Sequence, residues 1–542
     1  MSVSRFMDNV DQLKEATIKT AEFRGETFDY VLFEKNGARY YIFEAVDDDI
    51  TTKILSGYEV FSEFQKNFIE EDFEKADINL RFNLCMLFIV TERAKDEYRE
   101  ISTDFSFARK IFLEETDVKD YFDCDYLLCD TNGRNEDKVF GYIDDIKVLR
   151  KSLDSILSNT ILDTTIDESR SIYKGYQLNC EQCKEMEYCK RKELFVKSLE
   201  SLKIETYKSF REVEEVSFGK VNLISGDNGT GKTTMLEAIE DYFTTDKDER
   251  ERHNKYISGK FRCASSAVRE LDESDVGCYA KAWYRADRNE MRRSFNHYNY
   301  FNIATANKFA VSKRKLTDYV FINELGFDYA SFLKIDVKKL AQKKKDLNVL
   351  DRYLKQSDDK TGMQEIKEKI KELLQETRDL VSSVEESLKK LKKIKLSLPD
   401  ILGKVNKIYH FLTLSNGFKE IKIEQNEVCF VMGQSNRCLS ADTLSTAEST
   451  CLALASLCSA HILNTKAPRF ILFDEPLANL DSRHLFNVID FFKALAISGV
   501  QVFFTTADKK TAKIFEKRFS FLGNEFKRFD LERVGELTRI KQ

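Results

Sequence analysis

Hydrophobic and polar positions change their period several times along the chain, and each change predicts a different element. Residues 28–33 and 40–45 are apolar-rich runs parted by Lys35-Asn36-Gly37. An Asn-Gly pair suits turn positions with φ > 0, so a β-hairpin is expected there. A helical stretch over 48–74 follows, and then strand-like runs at 83–90, 107–112 and 126–129. Together these predict an α+β unit. Strand patterns return at 202–212 and 221–225, with a helix over 234–243. Between about 329 and 398 the composition turns to Lys, Glu and Leu, and Ile366, Ile370, Leu373, Leu380, Val384, Leu391 and Ile394 keep the 3–4 spacing of a coiled-coil seam. A helix from 363 to 398 would extend about 54 Å at 1.5 Å per residue. The polar stretch 357–362 is placed to fold an earlier helix, carrying Leu333, Val337, Leu340, Leu347, Leu350 and Leu354, back against it. Two separate surface helices are the plainer alternative. After Pro399 the pattern is mixed α/β again, with an Ala/Leu-rich helix ending near 463 and apolar strands at 469–473 and 500–504.

Composition narrows the classes. The 542 residues exceed what one core usually supports, so several domains are expected. Hydrophobic residues are 42 %, charged residues 33 %, with 42 Phe and 22 Tyr. That is too aromatic for disorder and too charged for a membrane protein. The longest apolar runs, such as LCMLFIV at 84–90, fall far short of the ~18–20 residues of a bilayer span. The start of the chain carries no secretory h-region. Twelve cysteines in this context read as reduced thiols or metal ligands, so a cytoplasmic protein is expected. The net charge of −6 is uneven: residues 1–150 hold 20 Lys+Arg against 34 Asp+Glu, leaving 66 against 58 for the rest. An acidic front unit repels nucleic acid and suits a protein partner, whereas the remainder can accommodate phosphates.

The clearest chemistry lies at 226–233, Gly-Asp-Asn-Gly-Thr-Gly-Lys-Thr, which fits G-x-x-x-x-G-K-[ST] between a strand and a helix. Gly226, Gly229 and Gly231 let the amides of Asn228, Thr230 and their neighbours wrap a triphosphate, and the helix N-terminus at Thr233 and Thr234 adds partial positive charge. Lys232 is expected to reach the β- and γ-phosphates of ATP and Thr233 to ligate Mg²⁺. The second element is Asp474-Glu475, which ends the apolar strand RFILF. Asp474 is the expected Mg²⁺ carboxylate, and Glu475 the general base that polarises water.

These motifs, with Leu444-Ser445-Thr446-Ala447-Glu448 before the dyad and Leu480-Asp481 after it, resemble the ABC-class ATPases, and within them the RecF/SMC-type branch. The opening KIETYKSFR at 203–211 also resembles the first strands of SMC-type heads. The resemblance covers about 202–542. It implies a P-loop α/β head split by a short helical, coiled-coil insertion and preceded here by an α+β N-terminal domain. The spans expected are 1–175 for an acidic interaction domain, 176–200 for a cysteine-containing connector, 201–328 for the N-lobe, 329–398 for the insertion and 399–542 for the C-lobe. It further implies a head-to-head homodimer in which Ser445 and Glu448 of the signature and Asp481 of the D-loop face the partner's nucleotide. Two departures bear on this. Thr446-Ala447 replaces the usual Gly-rich pair, and Ala507 stands where such heads carry a switch histidine, so slow hydrolysis is expected. No Q-loop glutamine can be assigned; 299–308 is the stretch expected for it.

Cys180-x2-Cys183-x5-Cys189 places three thiols where they can bite one structural metal, zinc ahead of an iron–sulfur cluster, with Cys124 or Cys129 as a fourth ligand. The spacing also resembles the iron–sulfur staple of Cas4- and AddB-type nucleases, and free thiols are the plain alternative. Asp130 with Glu136 and Lys138 only superficially fits a nuclease pattern, because 131–137 is turn-like. None of the five histidines (253, 297, 410, 461 and 484) has metal spacing, and the lysine runs at 343–345 and 389–393 read first as solvated helix faces, then as a track for DNA. The expected function is an ATP-driven dimerising switch. By analogy with bacterial anti-phage systems it would control a partner effector nuclease or act on DNA. An ATP-locked scaffold and a transporter's nucleotide-binding subunit are the alternatives.

Overall fold

The computed structural model describes residues 16–45, 50–91, 96–124, 196–245, 247–263, 268–270, 291–302, 401–413, 418–424, 427–432, 438–440, 443–463, 467–478 and 480–541. It also describes positions 13 and 127 and a set of helical positions between 338 and 386. The N-terminal unit is a five-stranded sheet in the order β1-β2-β3-β4-β5, formed by Thr17–Phe23, Glu26–Lys35, Ala38–Ala45, Leu84–Val90 and Arg109–Leu113. The first three strands are an antiparallel meander, and β3-β4-β5 run parallel. The expected hairpin is present: Asn36 and Gly37 take φ of 51° and 71° between β2 and β3. β4 is apolar throughout because both faces of the sheet are covered. One face packs Phe28, Phe43 and Phe88 under the helices; the other buries Ile42, Leu87 and Ile111.

The helix expected over 48–74 is two helices, α1 (Ile50–Ile54) and α2 (Tyr58–Lys75), because Gly57, with φ 175° and ψ 158°, leaves the helical region and starts a new one. The strand-like run 107–112 starts later, at Arg109, and is followed by α4 (Glu115–Asp123) after α3 (Asp96–Thr103). Leu127 is a helical turn and the rest of 126–129 lies outside the described residues, as do Asp130, Glu136 and Lys138.

The first described strand of the second unit is β6 (Val196–Thr206). β6 joins β7 (Glu214–Ser217), β9 (Tyr256–Cys263) and β10 (Val268–Glu270) in an antiparallel sheet ordered β10-β9-β6-β7. Its partner layer is a six-stranded sheet ordered β11-β15-β16-β8-β17-β18, from Tyr300–Asn302, Phe470–Asp474, Gln501–Thr506, Val221–Ser225, Phe526–Val534 and Leu537–Lys541. Five of these strands are parallel and β18 closes the edge antiparallel. Side chains alternate across the sheet. Phe470, Leu472 and Phe503 point into the core shared with the antiparallel sheet and α5 (Lys232–Thr244). Ile471, Phe473, Val502 and Phe504 point into a second core. That core is roofed by α6 (Ile401–Thr413), α7 (Thr446–Leu463), α8 (Ser482–Ile497) and α9 (Lys509–Arg518). α7 is apolar around nearly its whole circumference, which fits its central position. Beside it β12 (Phe418–Glu424), β13 (Glu427–Met432) and β14 (Cys438–Ser440) form a small antiparallel sheet.

The described positions of the insertion are helical and antiparallel. Lys344 Nζ donates to Glu385 Oε2 across 2.8 Å, Arg378 donates to the Leu347 carbonyl, and Leu347, Leu374, Val381 and Val384 are buried between the arms. Leu347 and Val384 belong to the expected seam; its other residues and the stretch 357–362 lie outside the described residues.

The N-terminal sheet is docked on the helical roof of the head. Arg109 at the start of β5 donates to Asp490 and Asn487 of α8. Asn83 Nδ2 donates to the Lys517 carbonyl at 3.1 Å, and Arg518 returns a bond of 2.7 Å to the Phe82 carbonyl. Tyr121 of α4 stacks on Phe411 of α6, with centroids 5.6 Å apart.

Candidate functional site

The loop after β8 is shaped by what its glycines make room for. A Cβ on Gly226 would sit 2.5 Å from the Leu531 carbonyl oxygen and 2.7 Å from Thr230 Oγ1, so no larger residue fits. Gly231 holds φ +98° immediately before α5 and would place a Cβ 2.7 Å from Thr538 Oγ1. These two positions pull the loop against β17 and β18 and turn the first amides of α5 inward. Asn228 and Gly229 are exposed at the loop tip. Thr230 is buried and closes the loop by donating to the Asp227 carbonyl at 2.8 Å. Helix α5 begins at Lys232, earlier than the expected 234, so Lys232, Thr233 and Thr234 form its first turn.

The Lys232 side chain folds over the loop: Nζ is 3.0 Å from the Gly226 carbonyl, 3.2 Å from that of Asp227 and 3.4 Å from Glu475 Oε1. The Thr233 hydroxyl donates to the Asp474 carboxylate, 2.9 and 3.1 Å from its two oxygens. Two groups 241 positions apart in sequence are thus in hydrogen-bond contact. The cause is strand order: β16 alone separates β8 from β15, and all three are parallel, so their C-terminal ends rise together.

Two residues that carry no motif complete the cluster. Thr505, at the end of β16, donates to Asp474 Oδ1 at 2.8 Å while its oxygen accepts the Glu475 amide at 2.8 Å. Asn302, last residue of β11, donates to Asp474 Oδ2 at 3.1 Å. It lies inside the stretch expected to hold a Q-loop glutamine. Glu475 itself has φ +48°, a left-handed conformation that is strained for a side chain of this size and clusters at functional positions. Burial pushes the Asp474 carboxyl above the ordinary aspartate range, against the pull of the hydrogen bonds from Thr505 and Thr233. Hydroxyl and carboxylate oxygens side by side are the hard donors Mg²⁺ takes, so the residues present fit that ion.

Within the single chain the signature residues act as helix caps. Ser445 caps α7: its Oγ accepts the Glu448 amide at 3.3 Å, and Glu448 Oε2 accepts the Ser445 amide at 2.9 Å and the Ser445 hydroxyl at 2.7 Å. This reciprocal pair is a capping box. Asp481 likewise caps α8, accepting the His484 amide at 2.9 Å. The two caps are neighbours: burial, then the charges of Asp481 and Glu448, push the Cys451 thiol far up. Ala507 follows β16 and offers no side-chain polar atom. Cys180, Cys183 and Cys189 lie outside the described residues, so the zinc or iron–sulfur expectation has no structural counterpart here. Among the described residues no group of three or more His, Cys, Asp or Glu could hold a metal ion. No described helix is long and apolar enough to cross a membrane.

Comparison with known proteins agrees with the head. Residues 201–434 match the AAA domain family. No curated protein matches the chain. Among solved structures, the SMC head domain of Pyrococcus furiosus bound to the C-terminal domain of ScpA is similar at 16 % identity, over 63 % of this chain and 95 % of that one, with a TM-score of 0.37. The SMC head domain from Thermotoga maritima is similar at 13 % identity, over 64 % and 98 %, with a TM-score of 0.32. An SMC head bound to the C-terminal winged-helix domain of ScpA matches at 13 % identity, over 63 % and 96 %, with a TM-score of 0.35. An AAA domain across 201–434, with a strand order that sets the phosphate-loop sequence against the Asp474-Glu475 dyad, gives the second unit a P-loop ATPase-like fold.

Proposed function

We propose that the chain binds and hydrolyses ATP. The observation that carries this reading is the contact of Thr233 with Asp474, flanked by the Lys232–Glu475 pair at 3.4 Å. In this reading the amides of 228–233 and the start of α5 cradle the β- and γ-phosphates. Thr233 and Asp474 would hold Mg²⁺, which neutralises phosphate charge when bound. Lys232 exchanges its carbonyl contacts for the phosphate oxygens. That exchange releases Glu475, which then orients water and accepts its proton. Thr505 fixes Asp474 and the Glu475 amide together, and Asn302 holds the second Asp474 oxygen.

Turnover would be coupled to head-to-head pairing of two chains, with Ser445, Glu448 and Asp481 at the facing surface. Opening the α7 capping box to reach a partner's phosphate has a cost, and Ala507 supplies no γ-phosphate contact; both favour slow hydrolysis. Support for a protein partner comes from the acidic N-terminal unit, and support for DNA from the excess of basic residues beyond 150. Control of an effector nuclease in anti-phage defence is the role that family resemblance suggests, and co-purification of the native chain tests it. A membrane protein in the same eluate would favour the transporter subunit instead.

Calorimetry with Mg-ATP and phosphate release test the chemistry. Lys232→Ala should give no binding heat, whereas Glu475→Gln should bind normally and lose about 100-fold or more in hydrolysis. Light scattering should show the Glu475→Gln chain doubling in mass with ATP. Wild type and Glu475→Gln hydrolysing equally fast would sink the assignment of the base. Equal rates near zero, with binding intact, would support the ATP-locked scaffold, which Ala507 favours.

A further inference from the structure

The junction between the N-terminal sheet and the head forms a half-open pocket of about 220 Å³. Its walls come from the β2–β3 turn and α4 on one side, and from α6 and α8 on the other. Tyr40, Tyr121 and Phe411 give it an aromatic wall, Lys35 and Asn36 stand at the turn, and Lys493 of α8 forms its far side.

Lys493 is the unusual member. It is 7 % exposed, yet its ammonium has no hydrogen-bond acceptor among the described residues; its neighbour is the Phe521 ring, 4.6 Å away at the centroid. Buried lysines are normally paired. The nearest carboxylate on its own helix, Asp490, is already shared by Arg109 and Arg518. Of the charged residues lining the pocket, Lys35 lies near Asp123 and Asp490 is engaged by Arg109 and Arg518, which leaves Lys493 without a counter-charge among the described residues. An aromatic-walled pocket with one buried, unpaired lysine in its lining is complementary to one kind of occupant.

We propose that this junction binds a small single-ring organic anion, its acid group pairing with Lys493 and its ring lying against Tyr40, Tyr121 and Phe411. A pocket of about 220 Å³ suits an occupant smaller than those of typical ligand sites, which run roughly 300–1,000 Å³. The occupant would bridge the N-terminal unit to α8, the helix that starts at the Asp481 cap, so its presence would be felt at the edge of the nucleotide site. Burial lowers the Lys493 ammonium to about 7, so in the empty pocket much of it is a free amine.

Pyridoxal 5′-phosphate, a one-ring phosphate monoester with an aldehyde, traps the Lys493 amine, and its aldehyde-free analogue is the probe of the anion pocket. The Lys493 amine condenses with the aldehyde and releases water, and borohydride then delivers hydride to the imine, leaving a stable secondary amine that peptide mass spectrometry locates. With the full chain at pH 7 in excess Mg-ATP, labelling of Lys493 should exceed that of the median surface lysine about tenfold or more. Pyridoxine 5′-phosphate, which lacks the aldehyde, should protect Lys493 and leave surface lysines unchanged. Label spread evenly over surface lysines, or no protection, would overturn the proposal. The readout is taken lysine by lysine, so labelling at Lys232 bears on the nucleotide reading and not on this one. A Lys493→Met chain should lose that label alone.

Discussion

Removing Asp490 should expose how firmly the two units are joined. Its carboxylate, 12 % exposed, accepts from Arg109 of the N-terminal sheet (6 % exposed) and from Arg518 at the end of α9 (3 %). Asp490→Ala leaves two guanidinium groups facing each other with little water to solvate them. Breaking a buried pair by removing one partner costs about 3–5 kcal/mol, and two stranded cations put this case at the upper end. Arg109→Met is milder: the Asp490–Arg518 pair survives, and the methionine covers much of the apolar stem, so about 1–2 kcal/mol is expected. The double variant tests the sign, because removing one stranded cation should recover about 1–3 kcal/mol of the Asp490→Ala loss. A chain with two units need not unfold in one step, so the quantity to follow is the first transition of a calorimetric scan. At about 2–4 °C per kcal/mol for a unit of 150–250 residues, a cost of about 4–5 kcal/mol should lower it by roughly 8–20 °C. A shift below about 2 °C, or a double variant worse than Asp490→Ala alone, would refute the idea that this carboxylate neutralises both arginines.

Three further outcomes follow from the head. His461 is fully buried, its Nδ1–H donates to the Tyr298 carbonyl at 2.9 Å, and burial with nearby Arg469 lowers it to about 3. The unfolded chain therefore binds one more proton between pH ~6.5 and ~3, and stability should fall by up to about 1.4 kcal/mol per pH unit on acidification through that window. His461→Asn should remove this slope in urea midpoints compared between pH 8 and pH 5, and an unchanged slope would contradict the buried neutral ring. Thr505→Val removes the bridge between Asp474 and the Glu475 amide, so nucleotide binding should survive while turnover falls about tenfold or more; equal turnover would dismiss the bridge. Gly231→Ala meets both a φ of +98° and Thr538 Oγ1 at 2.7 Å. It should cost at least about 1–3 kcal/mol and weaken ATP binding in calorimetry; wild-type affinity would mean the loop relaxes elsewhere.

The parts of the site legible in the sequence were those whose chemistry is contiguous. A phosphate loop is made from successive backbone amides, so its glycines, Lys232 and Thr233 must be adjacent, and a carboxylate ending an apolar strand is visible as RFILFDE. Asn302 and Thr505 were not legible. Each is a single polar residue at a strand end, and only the lateral order of β11, β15 and β16 brings them to Asp474. The pattern S-x-x-E at 445–448 was ambiguous for a physical reason: a signature that approaches phosphate and a capping box that closes a helix ask for the same residues at the same spacing. The break at Gly57 was hidden because the apolar positions of α1 and α2 continue one helical period across it.

The docking of the N-terminal unit was the least visible feature, since Arg109 and Asp490 lie 381 positions apart and neither sits in a motif. Its consequence is nonetheless directional. Arg109 grips Asp490 and Asn487 on α8, and the same helix begins at Asp481, beside the α7 cap formed by Ser445 and Glu448. Asn487 in turn donates to the Leu412 carbonyl of α6, so the β5 edge, α6 and α8 form one hydrogen-bonded unit. A packed core shifts between discrete arrangements more readily than it deforms. Any displacement of α8 would therefore have to carry the N-terminal sheet with it or break a buried charge cluster, and the first is energetically the cheaper path. The acidic sheet is in that sense an extension of the head and not a tethered accessory.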